Sequence, residues 1–294
     1  MLSKLTRFIL FNIILIFSFL TLILFYGRFI VINESFYTYS LNKNDTYQEL
    51  TRSIKLTSQE FILNQFAKTT DYEKLTTIEK QEVKNQITDI TSFINEDNVK
   101  DLLSKNINNI LGYLHNRPGD LYLYLPINNW GFSSEVLNQI PDFLQGDNIS
   151  VRELLKSQAL DTPNNLKALS YLKYSSYYLL TAILASVAAE TILISLYAIT
   201  SKKGVRYQAV GKLKTFLGVI TLITSWILNS FQNVAIQRII LYDGGNGNPT
   251  FILLPLFIKP LICIFTAYGL LELISGIILF NKKEKQLVSK ANFR

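Results

Sequence analysis

The chain has very little of the chemistry on which small disulfide-bonded domains and metal sites depend. Its 294 residues contain one cysteine, Cys263, so no disulfide can form within the chain. They contain one histidine, His115, which excludes a histidine-cluster metal site. The sequence also has no glycine-rich phosphate loop and no nucleophile–base pattern. We therefore predict a non-enzymatic protein without a cofactor or a bound metal.

Charge is scarce and unevenly placed. Charged residues make up 17% of the chain, below the roughly 25% that is usual for soluble domains. The net charge is +7, yet residues 28–175 carry 15 Lys and Arg against 18 Asp and Glu, so the positive excess lies beside the apolar runs. No basic stripe with interleaved aromatic residues is present. This pattern excludes nucleic acid as a partner and indicates the lipid bilayer instead.

Four runs have the length, about 20 mostly apolar residues, that a helix needs to cross the hydrocarbon core. The first is long and lacks a small-residue cleavage pattern near Phe25–Arg28, which favours a retained anchor over a signal peptide. The predicted organisation is a cytoplasmic N-terminus (1–7), span 1 (8–26), an extracytoplasmic helical domain (27–175), span 2 (176–200), a cytoplasmic basic loop (201–212), span 3 (213–235), an outer loop (236–256), span 4 (257–280) and a cytoplasmic basic tail (281–294).

The direction of the spans follows from the positions of Lys and Arg. Twelve such residues flank the spans on the side that holds both termini, and only Arg238 lies in the short loop on the other side. Basic flanks are retained in the cytoplasm. We therefore expect a multi-pass plasma-membrane protein with cytoplasmic N- and C-termini.

The segment between spans 1 and 2 has helical signals. Thr57, Thr76 and Ser150 are each followed three residues later by Glu, as in a capping box at a helix start. Apolar residues recur at helical spacing between positions 99 and 114, and we interpret this face as packed core rather than a partner groove. From Pro163 onward the pattern predicts one helix that runs into span 2 and joins the domain stiffly to the membrane.

One short strand is predicted in the same segment. The leucines and tyrosines of Leu121–Leu125 alternate, as in a strand with two different faces. A lone strand needs a partner. The alternatives are a weak strand at Ile127–Trp130 and the same strand of a second copy. The predicted fold class is therefore mainly α, a four-transmembrane-helix bundle with a mostly helical extracytoplasmic domain and a short β element.

Three short motifs occur in a recognisable order. They are Phe36-Tyr37 after the anchor, Tyr47-Gln-Glu-Leu50, and Asn109-Ile-Leu-Gly-Tyr-Leu114 followed by the strand. In this order the chain resembles a loose group of uncharacterised bacterial four-span membrane proteins with a helical domain between spans 1 and 2. The resemblance covers most of the chain and implies its architecture, but it supplies no catalytic residue.

Two carboxylates lie inside the predicted spans and form the candidate site. Glu190 is 12 residues before Lys202 and Glu272 is 10 before Lys282, which places both near the middle of a roughly 30 Å core. Charged groups at that depth cost at least about 2.5–3.5 kcal/mol and are often functional. Both lie on stripes of small residues typical of helix seams, and span 3 has a matching polar stripe: Gly218, Thr221, Ser225, Asn229 and Gln232.

Two interpretations of this intramembrane polar site (Glu190, Glu272, Ser225, Asn229) remain open. In the structural one, which we favour, each glutamate is protonated and hydrogen-bonds to Thr, Ser or Asn across the seam. In the functional one, the pair exchanges a proton or coordinates a cation. Lys259 lies too far along the helix to pair with Glu272. The loop Asp243–Asn248 lacks the spacing of a calcium loop, so we interpret it as a flexible turn.

Three functions follow from these observations. The leading hypothesis is that the external domain binds, senses or scaffolds an envelope partner while the bundle anchors it. The second is a small proton or cation transporter or channel that uses Glu190 and Glu272 and, with only four spans, works as a homo-oligomer. The third, by topology alone, is a permease-like subunit of an ABC system.

Overall fold

The computed structural model describes residues 2–43, 45–69, 72–130, 146–202, 204–242 and 250–282. The chain divides into two compact units. One, called here the bundle unit, comprises Met1–Val31, Tyr177–Val234 and Phe257–Arg294. The other, the helical unit, comprises Ile32–Ser176 and Ala235–Leu256. Each unit has its own architecture and is described by itself.

Four helices are long and apolar enough to cross a membrane, as predicted. Their bounds are α1 (Leu2–Tyr26, continued as a π-helical turn over Gly27–Val31), α8 (Ser175–Ile199), α9 (Arg206–Tyr242) and α10 (Thr250–Asn281). Helix α9 begins seven residues before the predicted span and ends seven after it.

The start of α10 corrects a prediction. Pro255 and Pro260 indicate an irregular segment before span 4, yet both lie within a continuous helix that begins at Thr250. Membrane helices tolerate proline because neighbouring groups satisfy the freed backbone. In the same stretch, the hydroxyl of Tyr26 donates to the carbonyl oxygen of Phe257 at 2.8 Å and so joins α1 to α10.

In the bundle unit, α1 contacts the other three long helices. Its side chain Ile14 is fully buried in a cluster with Leu213 and Leu217 of α9, against which residues of α8 also pack. Further along α1, Phe19 packs on Phe265 of α10 with ring centroids 5.5 Å apart. The first span is thus an integral part of the bundle.

Helices α9 and α10 pack antiparallel along a seam of small residues. Gly211 and Gly218 of α9 face Gly276 and Gly269 of α10 so closely that a methyl group built at Gly218 would lie 2.6 Å from the backbone nitrogen of Leu273. The contacts recur every seven residues on both helices, the repeat of a left-handed helix pair. The glycine stripe predicted on span 4 is therefore a packing seam.

In its described residues the helical unit contains shorter helices. They are α2 (Glu34–Leu41), α3 (Thr46–Thr69), α4 (Thr77–Ile90), α5 (Glu96–Leu114), α6 (Val151–Ser157) and α7 (Pro163–Leu172), with 3-10 turns at Tyr72–Lys74 and Ile127–Trp130. Val99 and Leu111 of α5 are buried, so the apolar face of this helix forms core as predicted.

The three predicted capping boxes have different outcomes. Thr76 and Glu79 form the complete box at the start of α4. The Thr57 prediction is wrong, because Thr57 lies in the middle of α3. Ser150 does precede α6, but its side chain makes no capping hydrogen bond, since the same residue ends a strand.

The predicted strand is present, and the predicted partner within the chain, Ile127–Trp130, is wrong. Strand β1 (Tyr122–Tyr124) pairs antiparallel with β2 (Asn148–Ser150), in the register Leu123 opposite Ile149. The stretch Ile127–Trp130 forms a 3-10 turn instead of a strand. The partner is far along the chain and three residues long, so it has no visible alternation pattern of its own.

The predicted single helix from Pro163 into span 2 is interrupted. Helix α7 ends at Leu172 and α8 begins at Ser175, with two turn residues between them. The expectation of one continuous helix from Pro163 into span 2 is therefore wrong.

Candidate functional site: the polar residues inside the bundle

Glu190 of α8 is held by hydroxyl groups from two other helices. Ser18 of α1, which is 1% exposed, donates to Oε1 of Glu190 at 2.5 Å. Tyr268 of α10 donates to the same oxygen at 3.1 Å. One turn away, the hydroxyls of Ser186 and Thr21 lie 2.7 Å apart, so the small-residue stripe of α8 packs on α1.

Glu272 of α10 has a different partner. Nζ of Lys214, on α9, lies 2.9 Å from Oε1 and 3.0 Å from Oε2 of Glu272. The side chains of this pair are only 21% and 13% exposed. The contact is a largely buried ion pair, so the partner of Glu272 is an ammonium group rather than the hydroxyl or amide expected across the seam. Lys259 is exposed and is not its partner.

Tyr268 brings the two glutamates into one neighbourhood. Its hydroxyl contacts Glu190, and it lies four residues before Glu272 on α10. Residues four apart on a helix share a face, with Cβ atoms about 5–6 Å apart. Hydrogen bonds thus link Ser18, Glu190 and Tyr268, and the Glu272–Lys214 pair lies one turn further along α10. These five side chains, which come from all four helices, are called here the polar chain.

The other two predicted site residues lie outside this chain. The hydroxyl of Ser225 is 2.6 Å from that of Thr266 and also donates to the carbonyl oxygen of Ile262, so it links α9 to α10 along their seam. Asn229 is exposed. Within the described part of the chain, its side chain makes no hydrogen bond to another residue. Asn229 is thus the one exposed residue of the polar stripe of span 3, and the other four are buried: Gly218, Thr221, Ser225 and Gln232.

Three residues of the site were not predicted. Lys214 was counted among the cytoplasmic flanking charges, although it lies two residues inside the predicted third span, where a lysine needs a partner. Because Lys214 lies inside the bundle, the twelve flanking charges are reduced by one. The excess of Lys and Arg on the side that holds both termini persists. Tyr268 stands one turn from Glu272, a spacing that could have indicated it. Ser18 had no signal, because serine is common in membrane helices.

Several basic residues that the structure describes, among them Arg7, Lys212 and Lys282, lie at one end of the bundle, whereas Arg28 and Lys259 lie towards the other end. The guanidinium of Arg7 donates to the carbonyl oxygen of Thr200 at 2.7 Å, where α8 ends. The ammonium of Lys282 lies 5.0 Å above the ring of Tyr207, and that of Lys212 lies 5.7 Å above Phe280. These contacts thus pair the start of α1 with the end of α8, and the start of α9 with the end of α10.

Two other predictions concern the loop Asp243–Asn248 and the basic tail 281–294. The loop and most of the tail lie outside the described residues. Among the residues that are described, no three His, Cys, Asp or Glu side chains are grouped so that they could hold a metal ion.

Comparison with known proteins adds no relative. No family model matches the chain, and no curated protein or solved structure is significantly similar to it.

Proposed function

We propose that the protein is a non-enzymatic plasma-membrane protein in which the bundle anchors an extracytoplasmic helical unit that binds a partner in the envelope. The orientation is supported by the basic end of the bundle, where Arg7, Lys212 and Lys282 lie. Basic flanks remain in the cytoplasm, so this end is cytoplasmic. The segment between α1 and α8 then lies outside.

The observation that supports the binding function is the exposure of large apolar side chains on α3 and α4. Phe61 of α3 is 63% exposed and Ile90 of α4 is 53% exposed. The side-chain amide of Gln59 donates to the hydroxyl of Thr91 at 2.9 Å, so the middle of α3 lies beside the end of α4. We infer that exposed apolar side chains on these two packed helices contribute to an interaction site. In the bundle, by contrast, both carboxylates already have partners.

Site-specific photo-cross-linking of the full-length protein in cells tests this function. A photoreactive residue at position 61 is expected to give a discrete cross-linked species. The same residue at position 156 is the control, because Lys156 is exposed on a different helix. A cross-link at neither position, or equal patterns at both, would contradict a binding site on α3 and α4.

The transporter is a second candidate, and one observation favours it. The polar chain inside the bundle contains two carboxylates, Glu190 and Glu272, but only one ammonium, that of Lys214. An uncompensated charge inside a membrane is costly. Glu190, which has no ammonium partner among the described residues, is therefore suited to take up one proton or one monovalent cation. In this function Tyr268 connects the site to the ion pair.

Flux measurements separate the two candidates. Proton and cation flux is measured in proteoliposomes with the wild type and with Glu190→Gln, which keeps the size and hydrogen-bonding capacity of the side chain. A binding protein gives no flux in either. Flux in the wild type and none in folded Glu190→Gln would make the protein a transporter.

A further inference from the structure

A cavity of about 300 Å³ lies in the helical unit between α2 and the middle of α5. This volume is at the lower end of the range of small-ligand pockets. Its base is formed by apolar and aromatic side chains, including Leu41, Tyr47 and Ile107, which belong to or pack on the core of the unit. The cavity is thus supported by packed residues rather than by a loop.

The charges at its rim are unequal. Lys100 and Lys105 of α5 both line the cavity. Lys105 is partly engaged, with Nζ 3.0 Å from a carboxylate oxygen of Asp101 and 4.0 Å above the ring of Tyr124. Lys100 lies 5.7 Å above the ring of Tyr47, and among the described residues no carboxylate pairs with it. Its ammonium is therefore available to an anion.

The single carboxylate of the lining does not offset these lysines. Glu34 is directed to Arg117, with 3.5 Å between a guanidinium nitrogen and a carboxylate oxygen. The remaining polar lining is neutral and includes the amides of Asn42 and Asn108 and the hydroxyl of Ser104. The cavity thus combines a positive rim, neutral hydrogen-bonding groups and an apolar base.

We propose that this cavity binds a small anionic ligand, a carboxylate or phosphate on a compact sugar-sized body, whose anionic group contacts Lys100 and Lys105. The proposal rests on the binding function proposed for the helical unit and names a ligand class for it. Lysine contributes a compact positive charge with three donors, which suits either anion. The neutral amides and Ser104 accommodate the hydroxyl groups of the body.

Isothermal titration of the full-length protein in detergent tests the proposal. The probes are glucose 6-phosphate and glucuronate, with glucose as the uncharged match. We expect both anions to bind, glucose not to bind, and binding to weaken with salt because the contact is electrostatic. Lys100→Gln is expected to weaken binding about tenfold or more, the usual loss of a charge-assisted hydrogen bond.

The matched control is Lys156→Gln, which removes the same charge from an exposed position that does not line the cavity. It should leave the affinity unchanged. No heat with either anion up to millimolar concentration, or equal affinity in wild type and Lys100→Gln, would overturn the proposal. The cross-link at position 61 does not depend on this cavity, so its presence without anion binding would leave the proposed binding function in place.

Discussion

Tyr268 of α10 donates its hydroxyl to Glu190 of α8 from a position one helical turn before Glu272. A buried tyrosine hydroxyl usually has a hydrogen-bond partner. This hydrogen bond joins α8 to α10 within the bundle.

Removal of that hydroxyl should weaken the bundle measurably. Tyr268→Phe keeps the ring but leaves Oε1 of Glu190 with Ser18 as its remaining donor. Hydrogen bonds between membrane helices contribute roughly 0.6–1.7 kcal/mol, and we expect a loss of that order in the free energy of unfolding by SDS titration in mixed micelles. Tyr177→Phe is the control, since Tyr177 is exposed near the start of α8. Equal stability of the two variants would refute the role of the Tyr268 hydroxyl.

The Lys214–Glu272 pair should behave as a buried ion pair. Lys214→Met leaves a carboxylate without its cation, and we expect a loss of about 3–5 kcal/mol. The double variant Lys214→Met, Glu272→Leu replaces both charges by apolar groups and should recover most of that loss. A double-mutant cycle on unfolding in micelles measures the coupling. Additive losses would show that the two side chains do not interact.

Close approach of α9 and α10 can be tested at one glycine. In Gly218→Ala the added methyl group meets backbone atoms of Leu273, which cannot move without displacing the helix. Overpacking of this kind costs about 1–3 kcal/mol, so the unfolding temperature should fall. Gly27→Ala is the control, because the nearest atom to its methyl group is a side-chain carbon of Leu179 at 3.8 Å. A drop of the same size in both variants would argue against the seam.

Asn106 should protect the outer edge of β1. Its side-chain amide accepts from the backbone N–H of Tyr124 and donates to the carbonyl oxygen of the same residue, each at 2.8 Å, as a neighbouring strand would. Without it these backbone groups lose their partner, which costs about 1–3 kcal/mol when they are buried. In Asn106→Ala we expect the Tyr124 amide hydrogen to exchange about tenfold faster or more. Asn109→Ala is the control and should leave the exchange of this amide hydrogen unchanged. Unchanged exchange at Tyr124 in Asn106→Ala would refute the prediction.

The capping box of α4 predicts a pH dependence. Hydrogen bonds from the hydroxyl and the backbone N–H of Thr76 lower the pKa of Glu79 below its ordinary value of 4.5. The folded carboxyl thus binds its proton less readily than the unfolded one. Its stabilising contribution is present above pH 4.5 and is lost as the pH falls through the lowered folded pKa. NMR titration of Glu79 should show this shift, and Thr76→Ala should abolish it.

The sequence predicted the spans well because a membrane helix must satisfy all its backbone groups within one long apolar run. It did not predict the partner of Glu272, because Lys214 lies 58 residues away and only the packing of α9 on α10 brings the two together. The β2 strand was missed for a similar reason, since three residues carry no periodicity. Local signals can also mislead. The capping pattern at Thr57 falls inside α3, because the residues before it also form helix.

Binding of an envelope partner requires that the helical unit lies on the outer side of the membrane. In a Cys263→Ser background, Lys156→Cys reports on the helical unit and Lys202→Cys reports on the basic end, both at exposed positions. Labelling of right-side-out membrane vesicles with an impermeant maleimide should modify the cysteine at position 156 at once, and the one at position 202 only after the membrane is disrupted. The reverse pattern would place the helical unit in the cytoplasm and contradict the account.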